Sequence, residues 1–364
     1  MNSVLWLTLN GNPWSSTHIA LGVRFRKALV PIRGLLFQRM REMPKHQSLA
    51  VFDSSEFHSV RELLAAKVAY MMGRKFEEGD WAEVYCAAKN IRIPDWSNLH
   101  VDIEVPGLAL EQKMLKKEDS RSVREYAGTW LMHPSLTRQV SLSERDTDPN
   151  RAMRKVVSEY QRVLDSRRAR AEAKSGGRPV EMRSGWLVYQ SSLREFLYFE
   201  EETCNLDPNE HYAAWAERNR SGSRRGSRNL WVYNRRTGQK VWSVTGAGSG
   251  TKIQPYFLVP PADDPNVYFF RAQGEIEDGL IKVWLTLSTY QSLEGVLRSL
   301  SPEAISQAIL EAKAVDVESP ADVRSSAVRV VKITQEAYER LRTAFAGASD
   351  EHSFQLLLRS LIVD

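Results

Sequence analysis

The residues best placed to do chemistry lie in one short stretch, NLHVDIEVPGLALEQKMLKK, residues 98–117. Val101, Ile103 and Val105 alternate with Asp102 and Glu104, so the two-residue period of a strand puts both acids on one face. Pro106 and Gly107 form a turn dipeptide. If Val105 pairs with Leu108 across that turn, Glu104 faces Ala109, Ile103 faces Leu110 and Asp102 faces Glu111. Glu104 and Lys113 then stand diagonal to the acid pair. Cβ atoms of directly opposed residues are about 4.5–5.5 Å apart, and like charges there repel. A divalent cation would compensate them. Magnesium takes one or two carboxylates and completes its octahedron with water and phosphate oxygens. A lysine beside the ion can orient or deprotonate a water, or offset charge on a pentavalent phosphate. The pattern suits metal-dependent phosphodiester hydrolysis.

These side chains need a scaffold. The clearest helix is HSVRELLAAKVAYMMG, where Val60, Leu64, Val68 and Met71 recur at helical spacing, Ala65, Ala66 and Ala69 admit close neighbours and Gly73 suits a stop. Further helices are expected over 120–132 and 150–173, and a basic amphipathic one within RKALVPIRGLLFQRMREM. From about residue 185 strands dominate: NLWVYN and KVWSVT flank RRTGQ as a hairpin with Gly238 in its turn, and TKIQPYFLVP, NVYFFRAQG and LIKVWLTLST continue the series. Helices return at 302–314 and, after the strand AVRVVKIT, in the last two segments. The fold class expected is mixed α/β (α+β). It divides into a helical N-terminal part with a catalytic core, 1–180, and a β-rich recognition part with C-terminal helices, 181–364; a single domain is the other possibility.

The order of an Asp, a short gap and then Glu111-Gln112-Lys113, in a hairpin that follows a helix, resembles the PD-(D/E)XK nuclease superfamily. The resemblance covers residues 55–117. It implies a restriction-endonuclease-like core with a mixed central sheet flanked by helices, Asp102 and Glu111 as Mg2+ ligands, Lys113 as the catalytic lysine, and Glu62 as an added helix acid. It also implies a type II restriction enzyme cutting double-stranded DNA as a homodimer, with a separate methyltransferase protecting host DNA. The literal Pro-Asp pair is Pro94 and Asp95, seven residues before Asp102. Asp95 is therefore the alternative first ligand, although Asp102 shares the face and register of Glu111.

Residues 218–240, RNRSGSRRGSRNLWVYNRRTGQK, contain no acid, and 154–174 is a second basic run. Such clusters form an electrostatic footprint for polyanions. Arg224, Arg225, Arg228, Arg235, Arg236, Lys240 and Lys252 are the expected DNA contacts, since Arg reads guanine bidentately and a two-stranded ribbon fits the major groove. Trp231, Tyr233 and Trp242 are expected to pack the β core. GAGSGTK, residues 246–252, has its threonine before the lysine and a strand after it, so a nucleotide-binding phosphate loop is excluded and no nucleotide cofactor is expected. The seven histidines are scattered without zinc spacing, though His100 would share the face of Asp102. FEEET, 199–203, reads as a solvated helix end from which Glu200 could approach a metal.

The chain has 364 residues, 42% hydrophobic and 26% charged, enough for one large or two ordinary cores. Its formal charge is +5. No apolar run approaches the roughly 18–20 residues that span a bilayer. Two cysteines are too few for a disulfide framework or a four-cysteine zinc site. With no basic region before its first apolar patch, the chain is expected to lack a signal peptide and to be cytoplasmic. A non-catalytic DNA-binding protein and a structure-specific repair or phage nuclease are the alternative readings.

Overall fold

In a computed structural model the residues described are 48–71, 74–92, 101–132, 135–137, 140–142, 146–203, 207–218, 227–247, 250–315 and 327–363, all within the compact unit Lys45–Asp364. They form seven α-helices, one 3-10 turn and three sheets, a mixed α+β arrangement. The first sheet runs β1 (Ser48–Leu49), β7 (Glu195–Glu202), β6 (Glu181–Gln190), β3 (Leu108–Lys117), β2 (Ile103–Val105), with β12 (Tyr268–Arg271) also paired to β7. β2 and β3 are antiparallel, whereas β3 and β6 are parallel over ten pairs, Leu108↔Glu181 to Lys117↔Gln190. A parallel pair needs a long crossover. The long helix α3 (Pro149–Lys174) lies within it.

One side of this sheet packs on α1 (Ser54–Met71) and α2 (Glu78–Ala88) through an aromatic core that includes Phe52, Phe76, Trp81, Tyr85, Phe196, Tyr198 and Phe270. Alternate residues of β6 and β7, including Trp186, Val188, Leu197 and Phe199, face the other way and pack with Val123, Tyr126, Leu131 and Phe257. β6 and β7 thus bury both faces, which explains their nearly continuous apolar runs. The acid run Glu200–Glu202 ends strand β7 rather than a helix.

The second sheet runs β4 (Trp130–Met132), β11 (Gly250–Leu258), β10 (Lys240–Ala247), β9 (Ser227–Asn234), β8 (His211–Arg218), with β5 (Ser135–Thr137) beside β11. The expected hairpin is β9–β10, with Gly238 at φ 66° in its turn. The third sheet, β13 (Glu275–Glu277), β14 (Leu280–Thr286) and β15 (Val328–Ile333), packs with α4 (Leu287–Val296), α5 (Pro302–Glu311), α6 (Gln335–Ala344) and α7 (Asp350–Val363).

One expected helix is corrected. Residues 120–132 are not a helix: Ser122 and Glu125 cap one 3-10 turn, Val123–Tyr126, Gly128 turns the chain at φ 74°, and β4 follows. Before the hairpin, α2 starts where the Asp80 carboxylate accepts the Glu77 N–H at 2.9 Å. The expected division at 180/181 falls between α3 and β6, yet β6 pairs along its whole length with β3. The expected helix in RKALVPIRGLLFQRMREM lies outside the described residues. Among the described residues no helix is long and apolar enough to cross a membrane.

Candidate active site

The hairpin takes the expected register, Val105↔Leu108, Glu104↔Ala109 and Ile103↔Leu110. Gly107 sits at φ 86°, the left-handed geometry that a Pro-Gly turn needs at its second central residue. One step further along, Asp102 bends toward β3 and its Oδ2 accepts the backbone N–H of Gln112 at 2.6 Å. Glu111 is held by two cations. Lys113 Nζ donates to its Oε1 at 2.6 Å, and Arg167 Nη1 donates to its Oε2 at 3.4 Å. Burial, and then the neighbouring Glu111 charge, push the Asp102 carboxyl up to about 6, against the opposing pull of the Gln112 N–H and Lys113. The acid pair therefore repels as its spacing suggests, and the two cations on Glu111 offset part of that repulsion.

Helix α3 supplies the outer wall. Leu164, Arg167, Ala171 and Lys174 recur at three- and four-residue steps on one helical face. Ala171 is buried with Val101, Ala109 and Met182, and Lys174 pairs with Glu104. Toward its start, Ala152, Met153, Val156 and Val157 pack on the second sheet. Asp148 caps the helix through the N–H groups of Asn150 and Arg151, and Asn150 Oδ1 accepts the Ala213 N–H of β8 at 2.9 Å. One helix thus connects the acid pair to the second sheet, and Arg154, Lys155, Arg162 and Arg170 lie exposed along it.

The remaining expected acids separate. Glu62 stays half exposed on α1, where its ionic neighbour is His58 at 3.6 Å, and the structure does not bring it to the pair. The helix acid whose charge reaches Asp102 is Glu78, at the start of α2. Glu200 does not approach the pair either. It is fully buried on the opposite side of the sheet, accepting from Tyr85 Oη at 3.0 Å, Tyr198 Oη at 2.8 Å and Arg183 Nη1 at 3.0 Å. Its neighbour Glu201 takes the site-facing position: strand pairing continues Glu111↔Ser184↔Glu201. Two strand spacings put Glu201 about 10 Å from Glu111. Burial pushes its carboxyl up to about 7, and Trp186 Nε1 donates to it at 2.8 Å. Trp186 is the β6 partner of Lys113. No local signal separates Glu201 from Glu200, because β7 is buried on both faces and shows no apolar alternation.

Among the described residues no group of three His, Cys, Asp or Glu side chains could hold a metal ion. Two carboxylates, Asp102 and Glu111, do converge. That donor set fits magnesium, which needs only one or two protein carboxylates.

Of the expected DNA contacts, Arg235 and Arg236 are exposed in the β9–β10 turn and Lys252 is exposed on β11. Lys240 Nζ lies 3.7 Å from the ring centre of Trp231 and 4.7 Å from that of Tyr256. Arg228 faces the α3 side, stacked 4.0 Å over Trp215 and paired with Glu217 at 3.3 Å. Arg224, Arg225, Asp95 and His100 lie outside the described residues. The aromatic expectation is corrected in part: Trp242 is buried against α3, but Trp231 and Tyr233 alternate with buried Leu230 and Val232 and so stand on the half-exposed opposite face. Compared with protein-family models, curated proteins and solved structures, the chain gives no match.

Proposed function

We infer that this chain is a magnesium-dependent endonuclease that hydrolyses phosphodiester bonds in double-stranded DNA, resembling a type II restriction enzyme. The observation that carries the reading is the convergence of Asp102 and Glu111 with Lys113 on Glu111. Asp102 and Glu111 would hold the ion. When bound, it supplies Lewis-acid polarisation of a phosphate oxygen and a more acidic water. Lys113 sits with its ammonium half-buried beside Glu111, placed to steer a water or to neutralise charge building on phosphorus. Arg167 brings a second fixed positive charge to the same carboxylate, and a phosphate entering there gains a guanidinium partner. The exposed arginines and lysines along α3 attract and orient the polyanion without reading its sequence. Sequence specificity is assigned to the β-rich part that follows residue 180. A palindromic target would match a two-fold homodimer.

The test is incubation of the purified chain with plasmid DNA in Mg2+ or EDTA, beside Glu111→Gln and Lys113→Met. Discrete fragments that need Mg2+ and vanish in both variants are expected. Intact DNA that is nonetheless retarded on a gel, equally by all three proteins, would replace this reading with a non-catalytic DNA-binding protein. Cleavage confined to branched DNA would mark a structure-specific nuclease.

A further inference from the structure

The second sheet has two unlike sides. Ala213, Leu230, Val232, Trp242, Val244 and Ile253 point to α3 and are buried. Pairing puts Tyr212, Tyr233, Trp231, Lys240, Tyr256 and Lys252 on the other side, where all but exposed Lys252 are half-exposed. Adjacent strands bring the Tyr212 and Tyr233 rings into a stack, centres 5.1 Å apart and planes 14° from parallel. The Lys240 ammonium is set among the rings of Trp231 and Tyr256. No carboxylate stands on this side among the described strand residues. The hydroxyl of Ser243 donates to Gln254 Oε1 at 3.0 Å and that of Thr245 to Asn229 Oδ1 at 2.6 Å, which turns the two amide nitrogens away as donors.

We propose that this aromatic, cationic sheet face binds a single-stranded nucleic-acid segment, its bases stacking on the rings and its phosphates meeting Lys240, Lys252 and the Arg235–Arg236 turn. The proposal rests on the nucleic-acid reading above and narrows it. Aromatic platforms with interspersed cations suit unpaired bases, because every base has a π-face. A duplex hides those faces within its own stack. Neighbouring strands are about 4.8 Å apart, so rings on adjacent strands can receive successive bases of a splayed strand. The amide nitrogens of Gln254 and Asn229, which have no acceptor among the described residues, then lie level with base edges. In a nuclease this face would hold a strand displaced from the duplex near the cut.

The test measures anisotropy of labelled oligothymidylate and of a duplex of equal length, in EDTA, for wild type, Tyr212→Ala/Tyr233→Ala and Tyr212→Phe/Tyr233→Phe. Wild type is expected to prefer the single strand. The alanine pair should lose at least about tenfold in affinity, by the usual effect of removing a stacking ring. The phenylalanine pair should keep it, because the ring and not the hydroxyl does the stacking. Equal binding by wild type and the alanine pair, or preference for duplex, would overturn the proposal. Plasmid cleavage in Mg2+, run in parallel, separates the two readings. Cleavage without single-strand binding sinks the platform alone, whereas tyrosine-dependent single-strand binding without cleavage sinks the nuclease and leaves the platform.

Discussion

Asp102→Asn is expected to make the protein more stable while removing a proposed metal ligand. Burial and the Glu111 charge raise this carboxyl from 3.8 to about 6. Because the folded-state value lies above the unfolded one, its contribution to stability is complete below 3.8 and is lost as pH rises through 6. The ionised group therefore costs the fold roughly 3 kcal/mol at pH 7.5 and about half of that at pH 5. Asparagine is neutral at both, and its Oδ1 can still accept the Gln112 N–H, so the variant avoids the cost. In a unit of this size each kcal/mol corresponds to about 2 °C, so thermal unfolding in EDTA should shift upward by roughly 6 °C at pH 7.5 and about 3 °C at pH 5. Mg2+ should then raise the melting temperature of wild type but not of the variant, since ligands that bind only the folded state stabilise it. A variant no more stable than wild type at pH 7.5, or equally stabilised at both values, would refute this account of the acid pair.

Further outcomes follow from the same geometry. Glu62→Gln should leave Mg2+-dependent cleavage unchanged, whereas Glu78→Gln should raise the Mg2+ concentration giving half-maximal cleavage a few-fold, because it removes a negative charge that reaches Asp102. Titrating tryptophan emission should reveal a transition near pH 7 as Glu201 ionises beside Trp186, and Glu201→Gln should abolish it; a transition that persists would place the titrating group elsewhere. The same substitution keeps the hydrogen-bond acceptor and should stabilise the fold increasingly as pH rises from 4.5 to 7, levelling at about 3 kcal/mol above that. Gly185→Ala would drive a Cβ into Tyr198 Oη, 3.1 Å from its ring Cζ and 3.2 Å from Leu110 Cδ1. A loss of about 1–3 kcal/mol in urea unfolding is expected, as for other overpacked cores.

The hairpin was legible because two local signals agree: a period-two alternation and a Pro-Gly turn that admits one register. The long helices α1 and α3 were legible from apolar spacing. Residues 120–132 misled because a capped start with apolar residues behind it looks the same whether one turn forms or three, and the Gly128 turn that ends it depends on pairing of β4 with β11. β7 misled because a strand buried on both faces loses its alternation, so Glu200 and Glu201 looked equivalent although one enters the aromatic core and the other faces the site. Glu78 and Arg167 reach the acid pair from elements 33 and 56 residues distant from Glu111, and no local pattern reports such contacts. Trp231 and Tyr233 read as core residues because composition favours burial; only the side on which α3 packs decides which half of the strand is covered.

That Asp102 and Glu111 together hold a divalent cation is tested most directly by replacing Mg2+ with Fe2+ and letting locally generated hydroxyl radicals cut the polypeptide. Cleavage should map beside Asp102 and Glu111, be suppressed by excess Mg2+, and disappear in the Asp102→Asn/Glu111→Gln double variant. Cuts confined to other segments, or a pattern unchanged in the double variant, would contradict it.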